Sequence, residues 1–302
     1  MKHLIKAQQF TPEILQQLFS LADSYQEQPR KALQDKVVAT LFYQPSSRTR
    51  LSFESAVHRL GGNVISTVNA REFSSVSKGE TLEDTLQVIS AYADAIVVRH
   101  DEEDVLEEAT RYVSVPVINA GDGADQHPTQ ALLDAYTIQK EFGRLNNLHV
   151  AFVGDLYYGR TVRSLSYLLT KYPNNRFSLV SPEDLSMKED ILSYFEKKGV
   201  SFETRTFEEV LDADIIYMTR AQFINESESG WARVPLGYDF SLTPDILDRI
   251  PSSTRVLHPL PHNEEINLPK DIETTDPRIA YFRQVKNGLF ARMAVLDYLI
   301  NK

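Results

Sequence analysis

Residues 45 to 50 read Pro45-Ser46-Ser47-Arg48-Thr49-Arg50, three hydroxyls and two guanidinium groups in one short stretch. They follow the apolar run Val37-Val38-Ala39-Thr40-Leu41-Phe42-Tyr43 and precede Phe53, Ala56, Val57 and Leu60, which recur at helical spacing. The run has the character of a strand buried on both faces, so the polar cluster falls where a strand gives way to a helix. The first turn of a helix presents unpaired N–H groups at the positive end of its dipole. Ser46 or Ser47 is placed to cap that turn, and Arg48 to add a bidentate fork. The combination suits a phosphate. An N-cap flanked by two solvated arginines has the same local sequence, so the rest of the chain has to decide.

Other polar groups recur at the same kind of place. His127-Pro128-Thr129-Gln130 puts an imidazole just before a helix and an amide one turn later, on the same side. In Gly154-Asp155-Leu156-Tyr157-Tyr158-Gly159-Arg160 an arginine opens a helix, although the glycine spacing fits neither a dinucleotide fingerprint nor a Walker loop. Thr219-Arg220-Ala221-Gln222 sets a guanidinium and an amide after a strand, able to hold a carboxylate. The prolines of His258-Pro259-Leu260-Pro261 stiffen that loop and leave carbonyls free to point inward. Metal-ligand spacing and a Ser-His-Asp pattern are both missing from the sequence.

The elements that must position these groups alternate. The spacing predicts a helix from Thr11-Pro12 to Pro29, the strand and helix around the phosphate-type cluster, and a strand at 64–68. Further on come a helix at 81–93, a strand at 95–99, a helix near 104–111 and a strand at 115–119. A long helix, 128–142, leads into strands at 148–153, 177–180, 215–218 and 256–257, with helices at 160–172 and 191–198 between them. Alternation of this kind implies parallel sheets covered by helices, with ligands beyond the carboxyl ends of the strands. Ser46 to Arg50, Arg99, His127, Arg160, Arg220 and His258 all fall there. The length of 302 residues suggests two α/β domains joined by the long helix. A net charge of −10 argues against nucleic acid, so an anion site must be a local pocket. With no cysteine, disulfides and thiolate chemistry are excluded. The sequence has neither a signal-type N-terminus nor an apolar run of membrane-spanning length, which is read as a cytoplasmic chain without membrane contact.

In order along the chain, Ser46-Ser47-Arg48-Thr49-Arg50 with Leu51-Ser52-Phe53-Glu54, Lys78-Gly79-Glu80-Thr81, Val98-Arg99-His100 and Asn119-Ala120-Gly121-Asp122-Gly123 form the first half of a recurrent motif set. His127-Pro128-Thr129-Gln130, Gly154-Asp155 through Gly159-Arg160-Thr161-Val162, Met218-Thr219-Arg220-Ala221-Gln222 and His258-Pro259-Leu260-Pro261 complete it. Over nearly its whole length the chain resembles the aspartate/ornithine carbamoyltransferase family, on its aspartate side. The ornithine side usually carries His-Cys-Leu-Pro in the last motif and a Ser-Met-Gly acceptor loop, and this chain has neither. The resemblance implies residues 1–130 as a carbamoyl-phosphate-binding domain, with a C-terminal helix at 288–302 packing back on it, and 131–287 as an aspartate-binding domain.

The implied reaction moves the carbamoyl group of carbamoyl phosphate to the α-amine of L-aspartate, on the way to pyrimidines, with no metal, cofactor or covalent intermediate. By matching positions, Ser46, Ser47, Arg48 and Thr49 would hold the phosphate. Thr49, Arg99 and His127 would contact the carbonyl oxygen, and Gln130 the carbamoyl NH₂. Arg160, Arg220 and Gln222 would grip the aspartate carboxylates, while the carbonyls of Pro259 and Leu260 position the amine. Ser74 and Lys78 match residues that reach into a neighbouring subunit's site, which implies a homotrimer with shared active sites. Regulatory chains or dihydroorotase are further partners on which the sequence is silent. Where the family usually has Glu, Lys, Lys-Glu-Arg and Arg, this chain has Gln44, Tyr157, Phe223-Ile224-Asn225 and His262. These departures lie on the acceptor side and at the domain seam. A carbamoyltransferase for another amino acid, and a catalytically weak assembly subunit, therefore stay open beside the main reading.

Overall fold

The computed structural model describes residues 1–70, 79–220 and 240–302. Ser74, Lys78, Gln222, Phe223, Ile224 and Asn225 lie outside the described residues. Two compact units divide the chain, Met1–Tyr136 with Lys286–Lys302 and Thr137–Val285.

The first unit begins with α1, Pro12–Glu27, whose Thr11 N-cap accepts from the N–H of Ile14. It continues with β1 (Val37–Phe42), α2 (Ser47–Arg59), β2 (Asn63–Val68), α3 (Leu82–Ile89), β3 (Ala95–His100), α4 (Val105–Ala109), β4 (Val117–Asp122) and the first part of α5 (Pro128–Phe142), whose residues from Thr137 on belong to the second unit. Its four strands are all parallel in the order β2-β1-β3-β4. Central β1 is covered on both faces, which explains its unbroken apolar run. Its one buried hydroxyl, on Thr40, donates to Glu54 Oε1 or Ser66 Oγ, at 3.1 and 2.8 Å. Strand β4 starts two residues later than expected, because Pro116 has no N–H to give the ladder. Its carbonyl still accepts from the N–H of Ile96 at 2.9 Å.

The second unit holds β5 (His149–Val153), α6 (Arg160–Leu169), β6 (Arg176–Val180), α7 (Glu189–Lys198), β7 (Ser201–Thr204), β8 (Ile215–Met218), α8 (Pro244–Arg249), β9 (Arg255–Leu257) and α9 (Lys270–Thr275). Its sheet is also parallel, in the order β7-β6-β5-β8-β9. Its core gathers Val153, Val180, Ile216, Met218, Leu247 and Val256. A fully buried side chain of this kind contributes about 1.5–3 kcal/mol. The expected helix at 160–172 stops at Leu169, where Tyr172 turns back onto the carbonyl of Leu169 ahead of Pro173.

The C-terminal helix, α10 (Tyr281–Ile300), starts seven residues before the expected position 288. Its last turns are held in the first unit. Tyr25 donates to Asp297 Oδ2 at 2.6 Å, and Arg30 Nη2 donates to the same oxygen at 2.9 Å.

Candidate active site

In the first sheet the carboxyl ends of β1, β3 and β4 share one edge, and the register pairs Phe42 with Arg99 and His100 with Asp122. The chain leaving β1 enters α2 with Ser46 at the N-cap position. Contrary to the expected cap, the Ser46 side chain at the N-cap makes no capping hydrogen bond to the first turn. The N–H groups of Ser47, Arg48 and Thr49 consequently have no partner among the described residues, and they stand at the positive end of a thirteen-residue helix.

The two arginines of the cluster part company here. Arg50 Nη1 lies 3.3 Å from Glu54 Oε1, an oxygen that also accepts from Ser66 Oγ at 2.8 Å. Arg48 is exposed, and no hydrogen bond or ion pair holds its guanidinium among the described residues. Thr49 lies behind it, buried.

Arg99 is 8% exposed and projects at the end of β3, donating from Nη2 to Gln44 Oε1 at 2.8 Å and from Nη1 to the Ala120 carbonyl at 3.4 Å. Gln44, one of the departures from the family pattern, thus serves Arg99 within this unit. His127 is buried, and its carbonyl receives the N–H of Gln130 at 2.9 Å and of Ala131 at 3.1 Å. His127 Nδ1 lies 3.4 Å from Thr129 Oγ1. At the end of β4, burial pushes the Asp122 carboxyl up to about 6, while its Oδ1 accepts from the N–H of Gln126 at 3.0 Å.

In the second unit Arg160, Arg220 and the loop at 258–261 follow β5, β8 and β9, again at one sheet edge. Asp155 is fully buried and shapes the loop before Arg160, its Oδ1 accepting from the N–H of Tyr157 at 3.1 Å and of Tyr158 at 2.8 Å. Gly159 is required there, since an added Cβ would lie 2.4 Å from the Asp155 carbonyl oxygen. Thr219 Oγ1 reaches the carbonyls of Val153 and Asp155 at 3.1 and 3.3 Å, tying the residue before Arg220 to the end of β5.

His258 is 1% exposed and takes a supporting place. Its Nδ1 accepts from the N–H of Leu260 at 2.8 Å, which requires Nε2 to carry the proton it gives to Glu265 Oε1 at 3.0 Å. Leu260 is thereby held at φ 56°, and no hydrogen bond among the described residues ends on the carbonyls of Pro259 or Leu260. Glu265 belongs to no motif read from the sequence, and its signal is an acid close to a proline-shaped loop; Asp155 stands inside the Gly154-to-Arg160 motif but is given no role there. His262, where the family usually has Arg, pairs through Nε2 with Glu273 Oε1 at 2.6 Å.

Burial lowers His258 below its ordinary value, and it likewise holds His3 down at about 4. Burial raises Glu265, but the bond and charge of His258 together with the backbone N–H groups of Glu265 and Asn263 outweigh it and leave the carboxyl low. As pH falls, the unfolded chain takes up these protons before the folded one. Stability contributed by His258 is therefore complete above about 6.5 and declines below it; the Glu265 share is lost further down, in the carboxylate range. Urea midpoints should be lower at pH 5.5 than at pH 7.5, and His258→Gln should narrow the interval. An unchanged interval would show that His258 does not titrate on unfolding.

The structure thus brings Ser46, Ser47, Arg48, Thr49, Arg99, His127 and Gln130 to one edge of the first sheet. Arg160, Arg220, Pro259 and Leu260 come to one edge of the second. Among the described residues no helix is long and apolar enough to cross a membrane.

Residues 2–140 match the aspartate/ornithine carbamoyltransferase carbamoyl-P binding domain, and residues 146–299 the Asp/Orn binding domain of the same family. The chain is 45% identical over 305 residues to the aspartate carbamoyltransferase catalytic subunit of Vibrio campbellii, covering 100% of this chain and 97% of that one. It is also 45% identical to aspartate carbamoyltransferase 3, chloroplastic, of Pisum sativum, over 98% of this chain and 77% of the relative. Among solved structures, the catalytic subunit of M. jannaschii aspartate transcarbamoylase superposes with a TM-score of 0.88 at 40% identity, covering 100% of this chain and 98% of that one. The Trypanosoma cruzi aspartate transcarbamoylase in complex with carbamoyl aspartate and phosphate gives 0.86 at 36% identity, covering 98% and 95%.

Proposed function

The chain belongs to the aspartate/ornithine carbamoyltransferase family, and we infer that it transfers the carbamoyl group of carbamoyl phosphate to the α-amine of L-aspartate. The products are N-carbamoyl-L-aspartate, an early pyrimidine precursor, and phosphate. The amine nitrogen bonds to the carbonyl carbon, the carbon–oxygen bond to phosphate breaks, and the leaving phosphate keeps the electron pair while the nitrogen gives up a proton.

The observation that carries this reading is the first turn of α2, whose leading N–H groups meet no partner among the described residues, with Arg48 beside it at the same sheet edge as Arg99 and His127. In the proposed roles, Ser46, Ser47, Arg48 and Thr49 bind the phosphate in the first unit, where charge grows as the bond breaks. Thr49, Arg99 and His127 stabilise the oxyanion, and Gln130 receives the NH₂. In the second unit, Arg160 and Arg220, with Gln222, take the two carboxylates of aspartate, and the Pro259 and Leu260 carbonyls accept from its amine. Positioning and fixed charge supply the rate.

A colorimetric assay for carbamoyl aspartate, run against a panel of amino-acid amines, tests the reading. Aspartate should be preferred by at least about a hundredfold in kcat/KM, the discrimination that a paired charge can provide. Preference for another amine would redirect the acceptor assignment.

We further propose a homotrimer with shared sites in the cytoplasm. Leu51, Ile65 and Val68 are 55%, 40% and 48% exposed on α2 and on the edge strand β2, a surface suited to a second copy. Ser74 and Lys78 are the residues proposed to cross into the neighbour. Mixing Lys78→Ala chains with Arg48→Ala chains should then restore activity, because a hybrid trimer contains an intact site. Mixed trimers seen by native mass spectrometry with no recovered turnover would rule out sharing.

A further inference from the structure

Gln130 lies in the first turn of α5 and is 8% exposed. Its amide has two chemically opposite ends, and whatever holds one end decides which the other presents. Nε2 donates to Asp134 Oδ1 at 2.8 Å, one turn along the same helix. An ionised carboxylate accepts and cannot donate, so the NH₂ end is fixed toward Asp134. Gln130 Oε1 accepts no hydrogen bond among the described residues, so a ligand meets an acceptor.

Asp134 is itself 0% exposed, where a carboxylate stays ionised only with a compensating charge. Arg292 of α10, 6% exposed, supplies one, and the two groups attract each other. Burial lowers Arg292 to about 10, which leaves it cationic at neutral pH. Its guanidinium stands 5.2 Å over the ring of Phe53, one turn beyond Thr49 on α2. Gly288 keeps room for it, since an added Cβ would come within 2.7 Å of Nη1. One buried cation therefore backs both helices whose first turns carry the proposed phosphate and carbamoyl groups.

We propose that Asp134, kept ionised by Arg292, is a positioning residue for substrate specificity: it fixes the Gln130 amide so that its oxygen reads the NH₂ of a carbamoyl group. An acyl phosphate with a methyl in that place would desolvate Oε1 without offering a donor, and would bind less well. The inference rests on the carbamoyl-phosphate reading above and adds what makes that site directional.

The test compares dissociation constants of carbamoyl phosphate, acetyl phosphate and inorganic phosphate, together with kcat and KM, for wild type and D134N. Asparagine offers both donor and acceptor, so Gln130 can turn over. The preference for carbamoyl over acetyl phosphate should fall by about tenfold in D134N, with inorganic phosphate binding within about twofold of wild type. R292K and R292M give a second arm that leaves Asp134 in place: the lysine variant should keep the preference and the methionine variant lose it. A folded D134N with the wild-type preference, or equal preferences in the two Arg292 variants, overturns the inference while turnover upholds the function. A wild type that neither turns over nor prefers carbamoyl phosphate overturns both.

Discussion

Arg48→Ala should lower kcat by about 10² to 10³, whereas Arg50→Ala, two positions along the same helix, should stay within about threefold of wild type. The Arg48 range corresponds to about 2.7–4 kcal/mol of transition-state stabilisation, the usual cost of removing one group aimed at developing charge. The contrast follows from partners. Arg50 is committed to Glu54, itself anchored by Thr40 and Ser66, while Arg48, at the first turn of α2, has no partner among the described residues. A half-exposed i,i+4 pair is worth less than about 1 kcal/mol, so Arg50→Ala should register as a small drop in urea midpoint. The measurement is steady-state turnover at saturating carbamoyl phosphate and aspartate. Arg48→Ala retaining more than about a tenth of wild-type kcat would take Arg48 out of the leaving-group role.

That distinction also marks where the sequence stops being legible. Val37–Phe42, His149–Val153 and Ile215–Met218 announce themselves because strands buried on both faces need continuous apolar runs. Ser201–Thr204 does not, because an edge strand with only Phe202 half-buried carries no period to read. Within the site, the strand-to-helix junctions place Arg48, His127 and Arg160 correctly, since helix starts have local signals. Which arginine is engaged is written at i,i+4 in Arg50 and Glu54, a pattern equally compatible with two solvated side chains. Contacts that span the chain leave no such trace: Arg99 on Gln44, and Arg292 over Phe53, depend on how the strands order and where α10 returns. By its place after a strand, His258 falls among the candidate functional residues. Only its burial and its two bonds, to Leu260 and Glu265, show it holding a loop.

Arg160→Ala and Arg220→Ala should each raise KM for aspartate by about a hundredfold or more, with KM for carbamoyl phosphate within about threefold of wild type. Both arginines belong to the second unit, Arg160 opening α6 after β5 and Arg220 following β8, while the proposed phosphate groups belong to the first. Truncating one partner of a desolvated charge pair costs about 2–5 kcal/mol, and a hundredfold loss, about 2.7 kcal/mol, lies in the lower part of that range. Substrate analogues then assign the carboxylates. L-asparagine lacks the side-chain charge and L-aspartic acid α-amide lacks the other, so each is a deletion on the substrate side of a double-mutant cycle. If Arg220 grips the side-chain carboxylate, Arg220→Ala should discriminate little between aspartate and asparagine, while Arg160→Ala keeps the wild-type ratio. The α-amide should show the reverse. Thr219 and Asp155 fix the backbone around both arginines, which is why each is expected to act on one carboxylate and not to exchange roles. Coupling energies near zero for all four combinations would mean that neither guanidinium touches the acceptor, and the dicarboxylate site would have to be sought elsewhere in the second unit.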